Sequence, residues 1–141
     1  QIPVTEITNI TLIKPQGRIF YAGNAASFSI DYCTMYGRGG SKAMLELGDK
    51  NTLGMSLAIK NTILANGGSN RKAHNANAAA NLSLTIEKVY GTNDMTFHSA
   101  LGDVTKYDKP STEVFENPEE GNFKIIDALF PSSIGDPRWK E

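Results

Sequence analysis

The sequence predicts a mainly β protein: a single-domain antiparallel β-sandwich or partly closed barrel, with one or two short helices and long extended loops or arms. Apolar and polar residues alternate strictly in several short segments, which is the pattern of strands with one buried face. Glycine, proline and asparagine separate these segments at the spacing of an all-β domain. The length of 141 residues suits one domain, 1–141, that folds around its own core.

The strongest strand prediction covers 27–36, where Phe28 and Ile30 alternate with Ser29 and Asp31. The same alternation predicts strands over 5–14 and 82–89, and the apolar run 123–130 is expected to form a last strand. A short segment at 18–22 follows the turn 15–17 and is expected to form a hairpin with the first strand. About seven strands are expected, and no internal repeat is detected.

Two segments are harder to assign. Residues 53–63 place Leu57 and Ile59 on one face as a strand, whereas a helix would spread the apolar residues over nearly half its circumference. The strand is favoured. Asp94 is expected to cap a short helix that runs to Leu101.

Three segments are predicted to lie outside the compact body. Residues 67–81 contain no large apolar side chain and are expected to form a mobile loop or arm of Gly, Asn and Ala. Residues 105–122 are expected to be an extended acidic segment. Residues 131–141 are expected to be an extended C-terminal tail.

Composition excludes several classes of function. Fourteen basic and fifteen acidic residues give a net charge of −1, which argues against a nucleic-acid partner. No apolar run is long enough for a membrane span. The single cysteine cannot form an internal disulfide. The first residue is Gln1, which is compatible with a processed N-terminus. The compartment is left open between virion, extracellular space and periplasm.

The glycine-rich stretch 31–42 suggests a phosphate loop, but its spacing fits neither of the common nucleotide-binding motifs. Lys42 precedes no Ser or Thr as a P-loop lysine would, and it occupies the third glycine position of a dinucleotide fingerprint. An anion nest with Arg38 and Lys42 stays open as an alternative. A glycine turn between strands is the favoured interpretation.

No catalytic, cofactor-binding or metal-binding residues are predicted. Cys33 would need a histidine beside it to act as a nucleophile, and a strand interior favours an inert buried thiol instead. The two histidines, His74 and His98, lack the spacing of a metal site.

The sequence therefore favours a non-enzymatic structural subunit that assembles with copies of itself or with other subunits, as in a virion, a tail-like tube or a surface filament. Long arms, strand edges and a terminal aromatic anchor are the features behind this interpretation. The candidate contacts are Arg38, Lys42, Arg71, Lys72 and Trp139. A β-sandwich module that binds a small ligand or carbohydrate is the alternative. A small enzyme with a dispersed site is a further alternative, with Cys33, His98 and Asp103 as the first suspects.

Overall fold

The three larger sheets of the protein consist of parallel strands. The fold is given by a computed structural model that describes residues 4–13, 20–22, 27–37, 44–47, 55–67, 74–75, 82–97 and 101–140. Sheet 1 contains, in order, β1 (Val4–Thr8), β4 (Ser27–Asp31), β7 (Met55–Lys60) and β10 (Leu82–Glu87). Sheet 2 contains β2 (Thr11–Ile13), β5 (Thr34–Tyr36), β8 (Ile63–Ala65), β11 (Tyr90–Gly91) and β12 (Thr105–Lys106). Sheet 3 contains β3 (Phe20–Ala22), β6 (Leu45–Leu47) and β9 (His74–Asn75).

The chain passes through sheets 1, 2 and 3 in turn, and each of the first three circuits adds one strand to each sheet; the fourth adds β10 to sheet 1 and β11 to sheet 2, and β12 then extends sheet 2. Each circuit is a coil, and four coils stack into a parallel β-solenoid. The expectation of a mainly β protein is confirmed. The expected antiparallel arrangement is wrong for these three sheets, because their strands pair in parallel register. The strand predicted over 53–63 is present as β7 and β8.

A sharp corner joins sheet 1 to sheet 2 in every coil. One residue at each corner has a positive φ angle near 50°, and the four are Asn9, Tyr32, Asn61 and Lys88. This left-handed conformation bends the chain from one sheet into the next at a single residue, and asparagine tolerates it better than most residues do. The amide of Asn9 donates to the Asp31 carbonyl, and the amide of Asn61 donates to the Glu87 carbonyl. The corners therefore stack from coil to coil through their own backbone.

The corners also correct two sequence predictions. The segment 27–36 is two strands of different sheets, because Tyr32 turns the chain between them. The sequence does contain a repeat, since the corner recurs four times. Its spacing changes from 23 to 29 to 27 residues, which hides it from a search for a fixed period.

The interior of the solenoid is made of stacked apolar side chains. Ile7, Ile30, Ile59 and Ile86 occupy the same position in consecutive strands of sheet 1. Ile30 and Ile59 are completely buried, which stabilises the fold by about 1.5–3 kcal/mol for each side chain. Leu12, Met35 and Leu64 form the corresponding ladder in sheet 2.

The far end of this core is closed by residues that follow β11. Met95, Leu101 and Val104 belong to the same buried cluster as the interior ladders. Gly91 continues the Leu12 ladder, and a Cβ atom there would lie 2.0 Å from the ring of Phe97. The phenyl ring thus takes the space of the missing side chain and covers the last coil.

The C-terminal segment packs on the outer face of sheet 2. It contains α1 (Ser111–Val114), β13 (Phe115–Asn117), β14 (Asn122–Ile125) and 3-10 turns at Pro118–Glu120 and Pro137–Trp139. A second core forms here, and its buried members are Tyr36, Ile63, Ala65, Val114, Phe115, Phe123, Phe130 and Ile134. Sheet 2 is consequently buried on both faces, which explains why β8 is apolar at every position instead of alternating.

This packing bears on the segments that were predicted to lie outside the compact body. The segment 105–122 is not extended, because it forms β12, α1, β13 and a 3-10 turn. The tail 131–141 folds back, with Ile134 and Asp136 buried. Of the predicted loop 67–81, the structure describes Gly67 and the strand β9, and the rest lies outside the described residues.

Two further expectations differ from the structure. Asp94 begins no helix, since 93–97 form a turn and irregular structure, while 98–100 lie outside the described residues. The last strand is Asn122–Ile125 and pairs antiparallel with β13. In the described part of the chain, no helix is long and apolar enough to cross a membrane.

Candidate functional site: an open first coil and a groove around Trp139

Among the described residues, nothing is stacked on the outer side of the first coil. Ile10, Cys33, Thr62 and Val89 each follow a corner residue and occupy equivalent positions. Ile10 exposes 37% of its surface, whereas the other three are completely buried. Among the described residues, β1 pairs only with β4 and β2 only with β5. Backbone groups on the outer edge of the first coil therefore have the geometry to accept another strand.

The C-terminal tail is fastened to this first coil by a buried carboxylate. Thr11 Oγ1 donates to Asp136 Oδ2 at 2.7 Å, and the amide of Asp136 donates to Thr34 Oγ1 at 3.1 Å. Arg138 Nε lies 2.8 Å from the same Oδ2 atom. Asp136 is only 3% exposed, so its charge depends on these partners.

Trp139 completes the attachment and is held in one orientation. Its indole N–H donates to Thr11 Oγ1 at 2.6 Å, and its ring meets Phe123 edge-on with centroids 5.9 Å apart. The side chain is half-buried. Trp139 thus folds back on its own domain, while part of the ring stays accessible.

Two clefts meet at Trp139, and together we call them the Trp139 groove. The larger has a volume of about 420 Å³ and is walled by Ile125, Ile126, Phe130 and Trp139. Its polar lining consists of Asp127, Ser132 and Lys140. The smaller has a volume of about 150 Å³ and is lined by Glu116, Asn122, Lys124, Arg138 and Trp139.

Exposed cations surround the groove. Lys124, Arg138 and Lys140 are all exposed, and the Lys140 ammonium lies 5.3 Å from the ring centroid of Tyr32. Arg138 uses its Nε on Asp136, which leaves the other guanidinium donors for a ligand. The groove therefore combines an aromatic wall with positive charge on both of its sides.

Asp127 contributes a carboxylate to the larger cleft that stays ionised. Tyr107 donates its hydroxyl to Asp127 Oδ2 at 2.6 Å, and Lys109 Nζ lies 2.9 Å from the same atom. The Tyr107 hydrogen bond, the Lys109 bond and the Leu129 amide lower the pKa of Asp127 to about 2. The hydrogen bond from Tyr107 to Asp127 raises the pKa of Tyr107 to about 12, and the separate bond from Lys109 to Asp127 raises the pKa of Lys109.

A second polar network ties sheet 2 to the hairpin β13–β14. Tyr36 donates its hydroxyl to the Glu119 carboxylate, and Asn66 Nδ2 donates to the Tyr36 hydroxyl at 2.8 Å. Burial and the bond to Glu119 raise the pKa of Tyr36 to about 12. The phenol is therefore neutral at ordinary pH, and the network has a structural role.

The other residues singled out from the sequence are not brought together here. Arg38, Lys42, Arg71 and Lys72 lie outside the described residues, as does His98. Cys33 is completely buried, and its Sγ lies 3.3 Å from the Asp31 carbonyl oxygen. Burial raises the pKa of the Cys33 thiol, which keeps it protonated and unreactive.

The remaining suspect, Asp103, is exposed in the turn between Leu101 and Val104. Within the described ranges, no group of three or more His, Cys, Asp or Glu side chains has the arrangement of a metal site.

Sequence reasoning missed the corner residues and Asp136. The signal for the corners is a repeated order of residue types: Ile, a polar residue, the corner residue and then an inward side chain. It begins at Ile7, Ile30, Ile59 and Ile86. Asp136 carries no such signal, because its partner Thr11 lies 125 residues away.

These features define the protein as a parallel β-solenoid domain whose C-terminal segment covers one sheet. Residues 28–139 match the family model of DUF5123, a domain of unknown function, and the chain therefore belongs to this family. The matched region starts in β4 and ends at Trp139, so the first coil lies before it. Comparison with curated proteins and with solved structures finds no match to this chain.

Proposed function

We propose that this domain is a non-enzymatic structural module that joins a further coil of parallel β-structure through its open first coil. The observation that carries the proposal is the exposure of Ile10, at a position that is completely buried in the three following coils. A further coil would bury this side chain and pair the outer edges of β1 and β2. The first coil already provides the precedent, because it stacks in parallel on the family-matched region.

The two ends of the solenoid differ, which narrows the kind of assembly. At the far end Met95, Leu101 and Val104 pack into the core and cover its interior, so the first coil of a second copy would find only the outer edge of β10 there. Rings, tubes or filaments that repeat head to tail would need an open surface at both ends. The proposed further coil therefore belongs to a parallel β-structure other than a second copy of this domain, in the same polypeptide or in another one.

The proposal assigns no reaction to the buried cysteine or to the two carboxylates near the tail. Cys33 is inaccessible and its pKa is raised, which favours a packing role. The carboxylates of Asp136 and Asp127 are occupied by hydrogen bonds that stabilise the fold. In the proposed function the exposed first coil makes the contact, and these groups only stabilise the fold.

An added coil tests the proposal. Residues 1–26 are duplicated in tandem at the front of the chain, and the unfolding of the extended protein is compared with that of the original by urea denaturation. In a solenoid each coil is stabilised by its neighbours, so the extended chain should gain unfolding free energy and unfold in one transition. A separate early transition of the added residues would contradict the proposal.

The association state of the original chain provides a second test of the proposal. Light scattering after size exclusion, over a range of concentrations, should show no dimer that depends on Ile10. A dimer abolished by Ile10→Lys would assign the open coil to a second copy and overturn the choice of partner.

A further inference from the structure

We propose that the Trp139 groove binds a saccharide chain whose sugar units carry carboxylates. This site is separate from the open first coil and serves a ligand of a different class.

The size and lining of the larger cleft match a small-ligand site. Its volume of about 420 Å³ falls within the range of about 300–1,000 Å³ that is usual for such sites. Five apolar residues, Ala128 among them, and three polar ones line it. This proportion is typical of pockets that orient a ligand by a few specific polar contacts.

Trp139 offers a fixed aromatic surface to a sugar ring. Its N–H already donates to Thr11 Oγ1, and the ring makes an edge-to-face contact with Phe123. The orientation of the side chain is therefore restricted before a ligand binds, and little conformational freedom is lost on binding. The face of an aromatic ring is electron-rich and attracts the weakly positive C–H groups on the apolar face of a pyranose. Because Trp139 lines both clefts, two consecutive sugar units can contact it.

The cations specify the charge of the ligand. Lys140 lies at the larger cleft, whereas Lys124 and Arg138 lie at the smaller one. Charge-assisted hydrogen bonds from ammonium and guanidinium groups favour carboxylates over hydroxyls. Each cleft also contains a carboxylate, Asp127 in the larger and Glu116 in the smaller. However, Asp127 is bonded to Lys109 and Glu116 to Asn122, so the exposed cations are the groups offered to an acid on successive units.

The remaining polar groups suit sugar hydroxyls. Ser132 lies in the larger cleft beside Asp127, whose two oxygens already accept bonds within the protein, and Asn122 and Glu116 lie in the smaller. Asn122 Nδ2 already donates to Glu116 Oε2 at 2.7 Å, which fixes both side chains and leaves further lone pairs for hydroxyl donors. Each cleft thus provides both donors and acceptors.

Intrinsic fluorescence tests this site directly, because Trp139 is the single tryptophan of the chain. The full chain is titrated with an oligogalacturonate and, in parallel, with the same oligosaccharide after methyl esterification, which removes its charge and keeps its rings. The acidic form should shift or quench the emission saturably. The ester should bind at least roughly tenfold more weakly, because it lacks the charge-assisted bonds.

Matched lysine variants locate the contact. Lys140→Gln and Lys124→Gln should each weaken binding of the acidic oligosaccharide roughly tenfold, with thermal unfolding unchanged. Lys106→Gln is the control, because Lys106 is exposed on β12 and lines neither cleft of the groove. Equal losses in all three variants would indicate nonspecific charge attraction and overturn the site. Equal affinity for the acid and its ester, or no change in emission with either, would also overturn it.

Discussion

Trp139 donates its indole N–H to the hydroxyl of Thr11 across 128 residues of sequence, at 2.6 Å. The bond joins the C-terminal tail to the outward face of β2, in the first coil. Thr11 in turn donates to Asp136, so one hydroxyl connects the ring of the groove to the buried carboxylate beside it. The open coil and the groove therefore depend on the same attachment.

Removal of the buried carboxylate should loosen this attachment. Asp136→Ala leaves the Thr11 hydroxyl and the Arg138 side chain without their acceptor, and we expect it to lower the unfolding free energy by about 2–4 kcal/mol. Urea denaturation followed by Trp139 fluorescence measures the effect. Asp108→Ala is the control, because Asp108 is exposed and should change the free energy by less than about 0.5 kcal/mol.

Alanine substitutions at two glycines with positive φ angles distinguish the cost of backbone strain from the cost of steric crowding. Gly135 has a φ of 82°, and a Cβ atom there would lie 2.6 Å from Ile63 Cδ1; Gly121 has a φ of 83° and its nearest neighbour would be 3.8 Å away. Gly121→Ala should cost about 1 kcal/mol from the backbone alone. Gly135→Ala should cost at least about 1 kcal/mol more, because Ile63 must move. Equal losses of stability for the two variants in thermal denaturation would show that Ile63 in sheet 2 can move without an energetic penalty.

The corner residue Lys88 has a φ of 52°, which disfavours branched side chains. Lys88→Val should therefore destabilise the protein by about 1–2 kcal/mol, whereas Lys88→Asn should be neutral or slightly stabilising. Lys88 is exposed, so neither change alters the core. If chemical denaturation gives the two variants the same stability, the corner is not a point of backbone constraint.

The pair Tyr107 and Asp127 should make stability depend on pH at both extremes. The pKa of Asp127 falls from 3.8 to about 2 on folding, so its contribution is complete above pH 4 and is lost as the pH falls through 2. The pKa of Tyr107 rises from 10 to about 12, so its contribution is complete below pH 10 and is lost as the pH rises through 12.

Denaturant unfolding across this pH range tests the linkage. Tyr107→Phe should flatten the alkaline slope and weaken the acid slope, since it removes the titrating phenol and the main bond that lowers the Asp127 pKa. Slopes equal to those of the original chain would contradict the assignment.

The sequence predicted strands well and their arrangement poorly. Alternation located β4, β7 and β10 because a period of two marks one buried face, whichever direction the neighbouring strand runs. The same pattern cannot distinguish a parallel solenoid from an antiparallel sandwich. Tyr32 interrupts neither the composition nor the alternation of 27–36, so the corner within that segment stayed hidden.

The candidate site was predicted only in part. Trp139 between Arg138 and Lys140 was singled out from the sequence as a candidate contact, but the sequence does not place it on its own domain. Its contacts with Thr11 and Phe123 follow from the coil order and from the packing of the tail. The walls of the groove come from β14 and the residues after it, which no local pattern places beside the tail.

The loss of unfolding free energy caused by truncating Ile10 tests most directly whether the first coil receives another coil. Ile10→Ala is made in the original chain and, at the second copy of the position, in the chain extended by residues 1–26. We expect a loss of less than about 1 kcal/mol where Ile10 is 37% exposed, and about 2–4 kcal/mol where an added coil buries it. Ile13→Ala is the control: Ile13 points outward, is 43% exposed, and should cost the same in both chains. Equal costs for Ile10→Ala in the two chains would contradict the claim that the first coil receives another.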